Sequence, residues 1–369
     1  MQIDFHHGVT YVVARLGGLG HEAAATVAHA AQYVDDATHD GPLLFRTGER
    51  YVRVTSAHKT LDLQANADAG DNRLVWVPFH FLPGNHLPAR HPSVLSTPSP
   101  EDEFHQRLMC RPGSAVAWAM MGDVIQRQDL PFGLHRLGIA LHTFVDTWAH
   151  QQFVGAVCDL NRLEEVQVEA VPPYGHDQAL LDELDGWMAQ AQQAIASQLP
   201  VGHASALCLP DLPFIRWRFT RMNGQKVVRD NPSDFLQAAQ AACQVVQRYV
   251  LRDPDAPVPG LPAHDQALID HLLRHTISLD EHIRHEHWLQ AIGEGRFSFG
   301  PADVQYIEQG EGSWKMDALG LDPDDEDGVR YTYRPEFLQS HWKRFHDAVQ
   351  MHRLYVLHEL LPQHGLCAS

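Results

Sequence analysis

One apolar segment carries three side chains of types that often bind metal ions. In "LGIALHTFVDTWAH", residues 137–150, His142, Asp146 and His150 follow one another at intervals of four among Leu, Ile, Phe, Val and Trp. Residues four apart on a helix are neighbours on one face, so we expect these three side chains to point the same way. The spacing therefore predicts a polar stripe on an otherwise apolar helix.

Helix geometry favours a shared metal site over a single ion. With about 100° of rotation and about 1.5 Å of rise per residue, His142 and His150 lie about 80° and about 12 Å apart. One ion cannot easily bind both, but Asp146 lies between them and its two oxygens can bridge two ions. Paired ions are a recurring device in phosphoester hydrolysis. The alternative is a buried hydrogen-bonded cluster without metal, although a buried carboxylate is costly unless it is paired or metal-bound.

Several other residues have ligand-like types or spacing but are weaker signals individually. Pairs four residues apart more often form a solvated helix face than a metal site, because any exposed helix places such residues side by side. The candidates that are four residues apart are His58 with Asp62 and His282 with Glu286. The other candidates are the adjacent His6 and His7, and His80 in the apolar "PFHFLPGN".

Composition restricts the class of protein. The 369 residues include 26 dispersed histidines, nearly as many as the 28 Lys and Arg residues together. Dispersed histidines either are ligands that the fold gathers or reflect composition alone, and the sequence leaves both interpretations open. The net charge of −18 disfavours stable binding to duplex nucleic acid, which depends on clustered Lys and Arg.

Cysteine usage and the chain's start indicate a compartment. The five cysteines are odd in number, scattered and free of any C-x-x-C pair, which suits a reducing compartment and argues against a disulfide framework or a cysteine-built zinc site. The first residues, "MQIDFHHGV", lack the basic and apolar regions of a secretory signal. Nor is there an apolar run of about 18 residues that could span a bilayer. We therefore expect a cytoplasmic protein.

Stretches with helical periodicity, separated by connections rich in Pro and Gly, predict an all-α fold. Short β-branched or aromatic runs at 50–55 and 74–81 are expected to be irregular or to form a small hairpin. No repeat or long linker divides the chain, so the simplest organisation is one α-helical domain over residues 1–369, with long irregular loops. The predicted helices cover 4–17, 21–36, 114–129, 131–154, 176–199, 232–251, 264–292 and 335–360.

Competing catalytic motifs are mostly missing from the sequence. There is no phosphate-binding G-x-x-x-x-G-K-[ST], no G-x-S-x-G and no H-E-x-x-H. An HD-type phosphohydrolase stays open as an alternative, because adjacent His and Asp occur at His176–Asp177, His264–Asp265 and His346–Asp347.

The central segment resembles a known helix. "LGIALHTFVDTWAH" is similar to the L-G-x-x-L-H-x-x-x-D-x-x-x-H helix of the zinc-dependent phospholipase C and S1/P1 nuclease superfamily, an all-α fold with a trinuclear zinc cluster. The order of the other features agrees: a His near the N-terminus, an Asp ending an early helix, and a His followed by Phe. The resemblance is closer still to uncharacterised microbial proteins with "QYVDDAT" and "FHFLPG" segments. It covers roughly residues 1–155.

The resemblance implies a set of zinc ligands. Asp35 would both touch a zinc and act as the base for the attacking water, with Asp36 as the close rival. Asp146 would bridge to a second ion, and His7 is the fallback for the N-terminal ligand. The implied ligands in this part of the chain are His6, Asp35, His80, His142, Asp146 and His150.

The sequence departs from the family pattern in two places. The family's secreted enzymes use the amine and carbonyl of an N-terminal Trp, for which Met1 or Asp4 would have to substitute here. Later in the chain, the family also has a His-x-x-x-Glu or His-x-x-x-Asp pair. That pair binds the same ion as the motif histidine that corresponds to His150 here. His282 and Glu286 have that spacing, and His58 with Asp62 competes.

The resemblance and the spacing together predict a zinc-dependent phosphoester hydrolase. We expect two or three Zn²⁺ ions and a phosphodiester substrate from a lipid or a nucleotide. Transient membrane contact would come from the loop "FLPGNHLP", and the oligomeric state is left open. The alternative to hydrolysis is a metal-binding protein of the same fold with a binding, structural or non-hydrolytic role.

Overall fold

The helix that carries the central motif runs through the middle of the protein. In the computed structural model it spans Gly133–Ala149, and every residue in it except Leu134 is buried. A helix buried on all sides lies inside a bundle rather than on its surface. We call it the central helix. The structure describes residues 1–58, 73–87, 100–169, 182–184, 186, 202–321 and 328–367.

The early helix, His21–Asp36, packs closely along the central helix. Gly138 makes this approach feasible, because a Cβ atom there would lie 2.3 Å from the carbonyl oxygen of Val27. Before the early helix, a π-helical segment, Asp4–Val9, continues into Thr10–Leu16, and the chain turns at "GGLG". The helices predicted over 4–17 and 21–36 are therefore present, and His6 near the start of the first and Asp35 near the end of the second lie beside the central helix.

Three further helices complete the packing around the central helix: Ala115–Gln126, Asn231–Leu251 and His341–Tyr355. Ser114 caps the first of these, its side chain accepting from the Ala117 amide, as serine commonly does at a helix start. The remaining helical segments are Trp76–His80, Pro100–Leu108, Ala263–His275, Glu281–Gly293, Trp314–Leu319, Val356–Leu360 and Leu361–Gln363, with short 3-10 turns at Asp159–Asn161, Ala204–Ala206, Leu209–Asp211 and Pro335–Gln339.

Several predicted boundaries differ from the observed ones. The helix predicted over 264–292 is two helices, because Asp280 caps a new start by accepting from the His282 amide. Residues 74–81, predicted to be irregular or a hairpin, contain the π-helical turn Trp76–His80 instead. The helix predicted over 176–199 lies almost wholly outside the described residues.

The chain is mostly helical, but the all-α prediction needs correction because the described residues include two small sheets. In the first, β1 (Gly41–Phe45) pairs antiparallel with β2 (Arg50–Arg53) and parallel with β6 (Arg330–Tyr331). In the second, Arg216–Arg221 (β4) pairs antiparallel with both Leu163–Glu169 (β3) and Lys226–Asp230 (β5).

The hairpin between β4 and β5 has a local sequence signal. Asn223 and Gly224 lie at its turn, flanked by β-branched and aromatic residues, and Gly224 has a positive φ of 79°. Asn-Gly is a strong hairpin signal for that reason. Counting helical periodicity alone passes over this feature.

Side chains from both ends of the chain share the largest apolar core. That core includes Met1 and Leu366 together with the inner faces of the long helices. Two smaller cores lie under the two sheets. Among the residues that the structure describes, no helix is both long enough and apolar enough to cross a bilayer.

Candidate metal centre

The central helix directs its polar stripe into the protein. His142, Asp146 and His150 have relative exposures of 0%, 1% and 5%. Oδ2 of Asp146 lies 3.3 Å from Nε2 of His142 and 3.6 Å from Nδ1 of His150. The spacing of four therefore produces the shared face that the sequence predicts, and Asp146 lies between the two histidines.

Four histidines at this site each give one ring nitrogen to a backbone carbonyl. Because a carbonyl can only accept, the contacting nitrogen carries the proton, and the opposite nitrogen of a neutral ring presents a lone pair. Histidines that bind metals are typically oriented this way. The contacts are His142 Nδ1 to Ala31 at 2.8 Å, His80 Nε2 to Ser56 at 3.0 Å, His150 Nδ1 to His80 at 2.7 Å, and His203 Nδ1 to Leu207 at 2.7 Å.

The lone pairs point at one another and at carboxylates. Nε2 of His142 lies 3.2 Å from Nδ1 of His80, which lies 3.5 Å from Oδ2 of Asp146. Burial lowers the pKa of His142 to about 4 although Asp146 opposes the shift, so the ring is neutral at pH 7. Two acceptors that face each other in a buried site need a proton or a metal ion between them. Divalent metal ions meet that requirement.

His6 enters the cluster from the N-terminal π-helical segment. Its Nε2 lies 3.2 Å from Oδ1 of Asp146, and its ring stacks on His142 with the ring centres 3.7 Å apart. Burial and the neighbouring His142 lower the pKa of His6 well below its usual value. Both ring nitrogens of His6 and Oδ2 of Asp146 are buried without a hydrogen-bond partner. Unsatisfied buried atoms of this kind fit a site built for an ion.

Asp35 closes the cluster at the end of the early helix. Its Oδ1 lies 3.7 Å from Nε2 of His142 and 3.8 Å from Nδ1 of His80. Its side chain is 32% exposed, against 1% for Asp146. Partial burial and the charge of Asp146 raise the pKa of Asp35 well above its usual value. Asp35 is therefore a carboxylate that both the cluster and solvent can reach.

A second part of the cluster lies around His150. Its Nε2 is 3.2 Å from Oδ1 of Asp211, and Nε2 of His203 is 3.4 Å from Oδ2 of the same carboxylate. Burial alone would raise the pKa of Asp211. The nearby Met1 ammonium and His203 together have the larger effect, so the pKa of Asp211 lies below its usual value. Burial lowers the pKa of His203 to about 4. Neither His203 nor Asp211 is among the ligands predicted from the sequence.

The missed residues give no periodic signal. His203 immediately precedes the 3-10 turn Ala204–Ala206, and Asp211 ends the turn Leu209–Asp211. Because they stand at short 3-10 turns, no run of helical or strand periodicity surrounds them in the sequence. Only their residue types, among the many histidines and aspartates of the chain, could have drawn attention to them.

The α-amine of Met1 joins the two parts of the cluster. It lies 2.7 Å from Oδ1 of Asp146 and 3.1 Å from Oδ1 of Asp211. Burial lowers the pKa of this amine, but the two carboxylates outweigh that effect and raise it to about 11. Asp4, the alternative to Met1 in the sequence-based prediction, is instead paired with Arg284.

Among the residues that the structure describes, three sets of side chains have ligand atoms close enough to hold a metal ion. Within each set the ligand atoms lie within 4.8 Å of one another. His142 belongs to two of the sets, so these two adjoin. The sets are His6, Asp35 and His142; His80, His142 and Asp146; and His150, His203 and Asp211.

The structure brings six of the eight predicted ligands together and leaves two outside. His282 and Glu286 are exposed on Glu281–Gly293 and belong to none of the three sets. The competing pair is not placed there either, since His58 is outside the sets and Asp62 lies outside the described residues. His203 and Asp211 stand beside His150 instead, because the exposed face of a helix cannot reach a buried cluster.

The rivals to two predicted ligands point elsewhere. His7 is hydrogen-bonded through Nδ1 to Nε2 of His285 at 2.8 Å. Asp36 accepts hydrogen bonds from Tyr306 and, at 3.2 Å, from Gln32. In each adjacent pair, therefore, the first residue faces the cluster and the second faces the surrounding protein.

The adjacent His–Asp pairs of the HD alternative are engaged in other contacts. Asp265 accepts from the Ser298 amide at 2.8 Å and from its hydroxyl at 2.6 Å. Asp347 accepts from Tyr51 at 3.0 Å and contacts Lys343 at 2.5 Å. The remaining pair, His176–Asp177, lies outside the described residues. Neither described pair belongs to the three sets.

The fold and the cluster define a mostly helical protein with buried His and Asp groups that could hold metal ions. One family model matches the chain over residues 1–360, and its description is "Family of unknown function (DUF6765)". The match covers nearly the whole chain, so the protein belongs to this family. No curated protein and no solved structure matches the chain. A function must therefore be inferred from the geometry of the cluster.

Proposed function

We propose that the protein is a zinc-dependent phosphoester hydrolase that acts on a phosphodiester. The observation that carries this proposal is the orientation of the histidines. Four of them hold one nitrogen against a backbone carbonyl and turn the other toward a carboxylate or another imidazole. Such an arrangement suits a cluster of cations better than a hydrogen-bonded network, which would need protons between the facing atoms.

The donor set fits zinc. Imidazole nitrogens combined with carboxylate oxygens are typical zinc ligands, whereas magnesium and calcium favour oxygen alone. His80, His142 and Asp146 would hold one ion, and His150, His203 and Asp211 another. His6 and Asp35 would hold the third together with Oδ1 of Asp146, which lies 3.2 Å from Nε2 of His6, because the one lone pair of His142 can bind only one ion. Two or three ions at a cluster bridged by Asp146 also agree with the phospholipase C and P1 nuclease type of fold that the central motif resembles.

The residues around the cluster suit hydrolysis. Bound divalent ions would offset the charge of the phosphoryl oxygens and help a water molecule to ionise. Asp35 is placed to orient that water and accept its proton, because its carboxylate is partly exposed while it touches the cluster. The burial of His6, His142 and Asp146 excludes solvent from the inner side. Substrate would therefore approach from the side of Asp35.

The substrate is proposed as a single phosphodiester unit, of a lipid or a nucleotide, rather than a duplex. The net charge of −18 gives no field that would hold a nucleic acid duplex. The loop proposed for membrane contact has Phe81 and Leu82 buried, and only Leu87 is exposed among its larger apolar side chains that the structure describes. Phe81 stacks on His150 with the ring centres 4.6 Å apart, so it shapes the site from within.

Elemental analysis and one assay test the proposal. Protein purified without chelator should contain two or three zinc ions per chain and should hydrolyse a chromogenic phosphodiester such as bis-p-nitrophenyl phosphate. A panel containing a phosphatidylcholine vesicle and a dinucleotide would then separate lipid from nucleotide substrates. A chain that binds fewer than two ions, or that binds them without hydrolysing any phosphodiester, would contradict the proposal and favour a binding or structural role.

A further inference from the structure

Arg284 lies on the buried face of Glu281–Gly293, and its guanidinium holds the first residues of the chain. The side chain is completely buried. Its Nε donates to Oδ2 of Asp4 at 2.7 Å, and Nη2 donates to the side-chain oxygen of Gln2. Nη1 donates to the carbonyl of Ser278 at 2.6 Å. One planar group therefore binds two residues of the N-terminal segment and anchors them to the loop before its own helix.

The same helix face makes two more contacts with this segment. His285 pairs with His7 at 2.8 Å. Trp288 packs against Gly8, where an added Cβ atom would lie 2.9 Å from the Trp288 Cβ. A larger residue at position 8 would push the two elements apart. His282 and Glu286, the two ligands predicted on this helix, are exposed. The opposite face of the helix packs against the N-terminal segment instead.

The residues held by Arg284 lie between two members of the cluster. Gln2 and Asp4 flank Ile3, with the Met1 amine on one side and His6 on the other. Both groups contact Oδ1 of Asp146. The Met1 amine lies 2.7 Å from this oxygen, and Nε2 of His6 lies 3.2 Å from it. Displacement of Asp4 would therefore move both groups. A point-charge ammonium could not bind Gln2, Asp4 and a carbonyl in one plane, which is a property of guanidinium.

We propose that Arg284 is a positioning residue that fixes His6 and the Met1 amine against Asp146, so that the ion that His6 would hold with Asp35 and Asp146 can bind. This inference rests on the proposed function, since it assigns Arg284 a purpose in metal binding. The competing explanation is that Arg284 and Asp4 form a buried ion pair that affects only stability. Loss of one partner of such a pair destabilises a protein because the other charge is left unpaired.

A double substitution separates the two explanations. Arg284→Met with Asp4→Asn removes the guanidinium without leaving a buried charge unpaired. The matched control is Arg136→Met with Asp123→Asn, because Arg136 is also buried, at 1% exposure, and contacts a carboxylate. Metal content per chain and hydrogen exchange of the peptide containing residues 2–9 are measured for both variants and the wild type.

We expect the Arg284 variant to bind one ion fewer than the wild type and to exchange the amides of residues 2–9 at least tenfold faster. The control should keep both properties. The positioning role is refuted if the Arg284 variant keeps all its ions and the wild-type exchange rate, or if the control loses both to the same extent. Wild-type protein that contains no metal refutes the proposed function instead, and the exchange measurement still shows whether Arg284 holds the segment.

Discussion

Nε2 of His6 lies 3.2 Å from Oδ1 of Asp146, although the two residues are far apart in the sequence. Both side chains are buried, and the second oxygen of Asp146 has no hydrogen-bond partner while it lies 3.3 Å from Nε2 of His142. The two oxygens of one carboxylate thus face two different histidines. This relationship is the reason for proposing that Asp146 bridges two ions.

Asp146→Asn should remove most of the bound metal and reduce phosphodiesterase activity to background. The amide keeps the shape of the side chain but loses the negative charge that would bridge two ions. Metal analysis after desalting and the chromogenic assay are the measurements. Asp265→Asn is the matched control, because Asp265 is equally buried but binds Ser298. Metal loss in the control together with retention in Asp146→Asn would rule out the assignment.

Substitutions at His203 and Asp211 should each cost the protein one ion. His203→Gln and Asp211→Asn remove ligand atoms that lie 3.4 Å apart beside His150. His282→Gln combined with Glu286→Gln should leave the metal content unchanged, because both side chains are exposed. Metal analysis decides between the two pairs. The reverse result, with loss only in the exposed pair, would restore the sequence-based assignment.

Asp35→Asn should lower turnover by about 10² to 10⁴-fold, the usual effect of removing a general base. Asp36→Asn should stay within a few-fold of the wild type, because Asp36 is directed toward Tyr306 and Gln32. Initial rates at saturating substrate give the comparison. Equal losses in the two variants would argue against Asp35 as the base, since a structural effect at the helix end would not distinguish neighbours.

Acid should weaken the fold partly through His352. Burial and the charge of Arg136 lower the pKa of His352 to about 3 from 6.5, and its Nε2 donates to the Pro78 carbonyl at 3.0 Å. Between these two pH values the unfolded chain binds a proton here and the folded chain does not, so the free energy of unfolding falls as the pH decreases. At pH 5 the loss from this residue is about 2 kcal/mol.

Urea unfolding at pH 7 and pH 5 measures that contribution. His352→Gln keeps an amide donor for the Pro78 carbonyl but cannot titrate. The drop in unfolding free energy between the two pH values should therefore be smaller in this variant by about 2 kcal/mol. An identical drop in the wild type and the variant would show that His352 is not held neutral in the fold.

Metal removal should lower thermal stability. Ions that bind only the folded chain stabilise it by about 1.4 kcal/mol for each tenfold excess over the dissociation constant. Treatment with EDTA should therefore lower the Tm, and added zinc should restore it. Asp146→Asn should show little response to zinc. A wild-type Tm that is indifferent to both EDTA and zinc would mean that the cluster is held together without ions.

The sequence predicted the central helix and the two early helices well because their signals are local. Intervals of four among apolar residues predict both the helix and the common direction of His142, Asp146 and His150. Spacing could not predict the sheets or the split near Asp280, where a hairpin turn and a capping residue decide the structure. Nor could it choose between His282 and His203, since ligand spacing on a helix says nothing about which face is buried.

The sequence by itself therefore determined the residue types of the stripe, the helix that carries it and the single face on which it lies. Tertiary structure alone decided which distant groups meet that face: His6 and Asp35 from the N-terminal hairpin, and His203 and Asp211 from irregular turns. The physical reason is that a metal site needs donors from several directions around an ion, whereas a helix supplies donors from only one. Packing, which depends on contacts between remote segments, brings in the others.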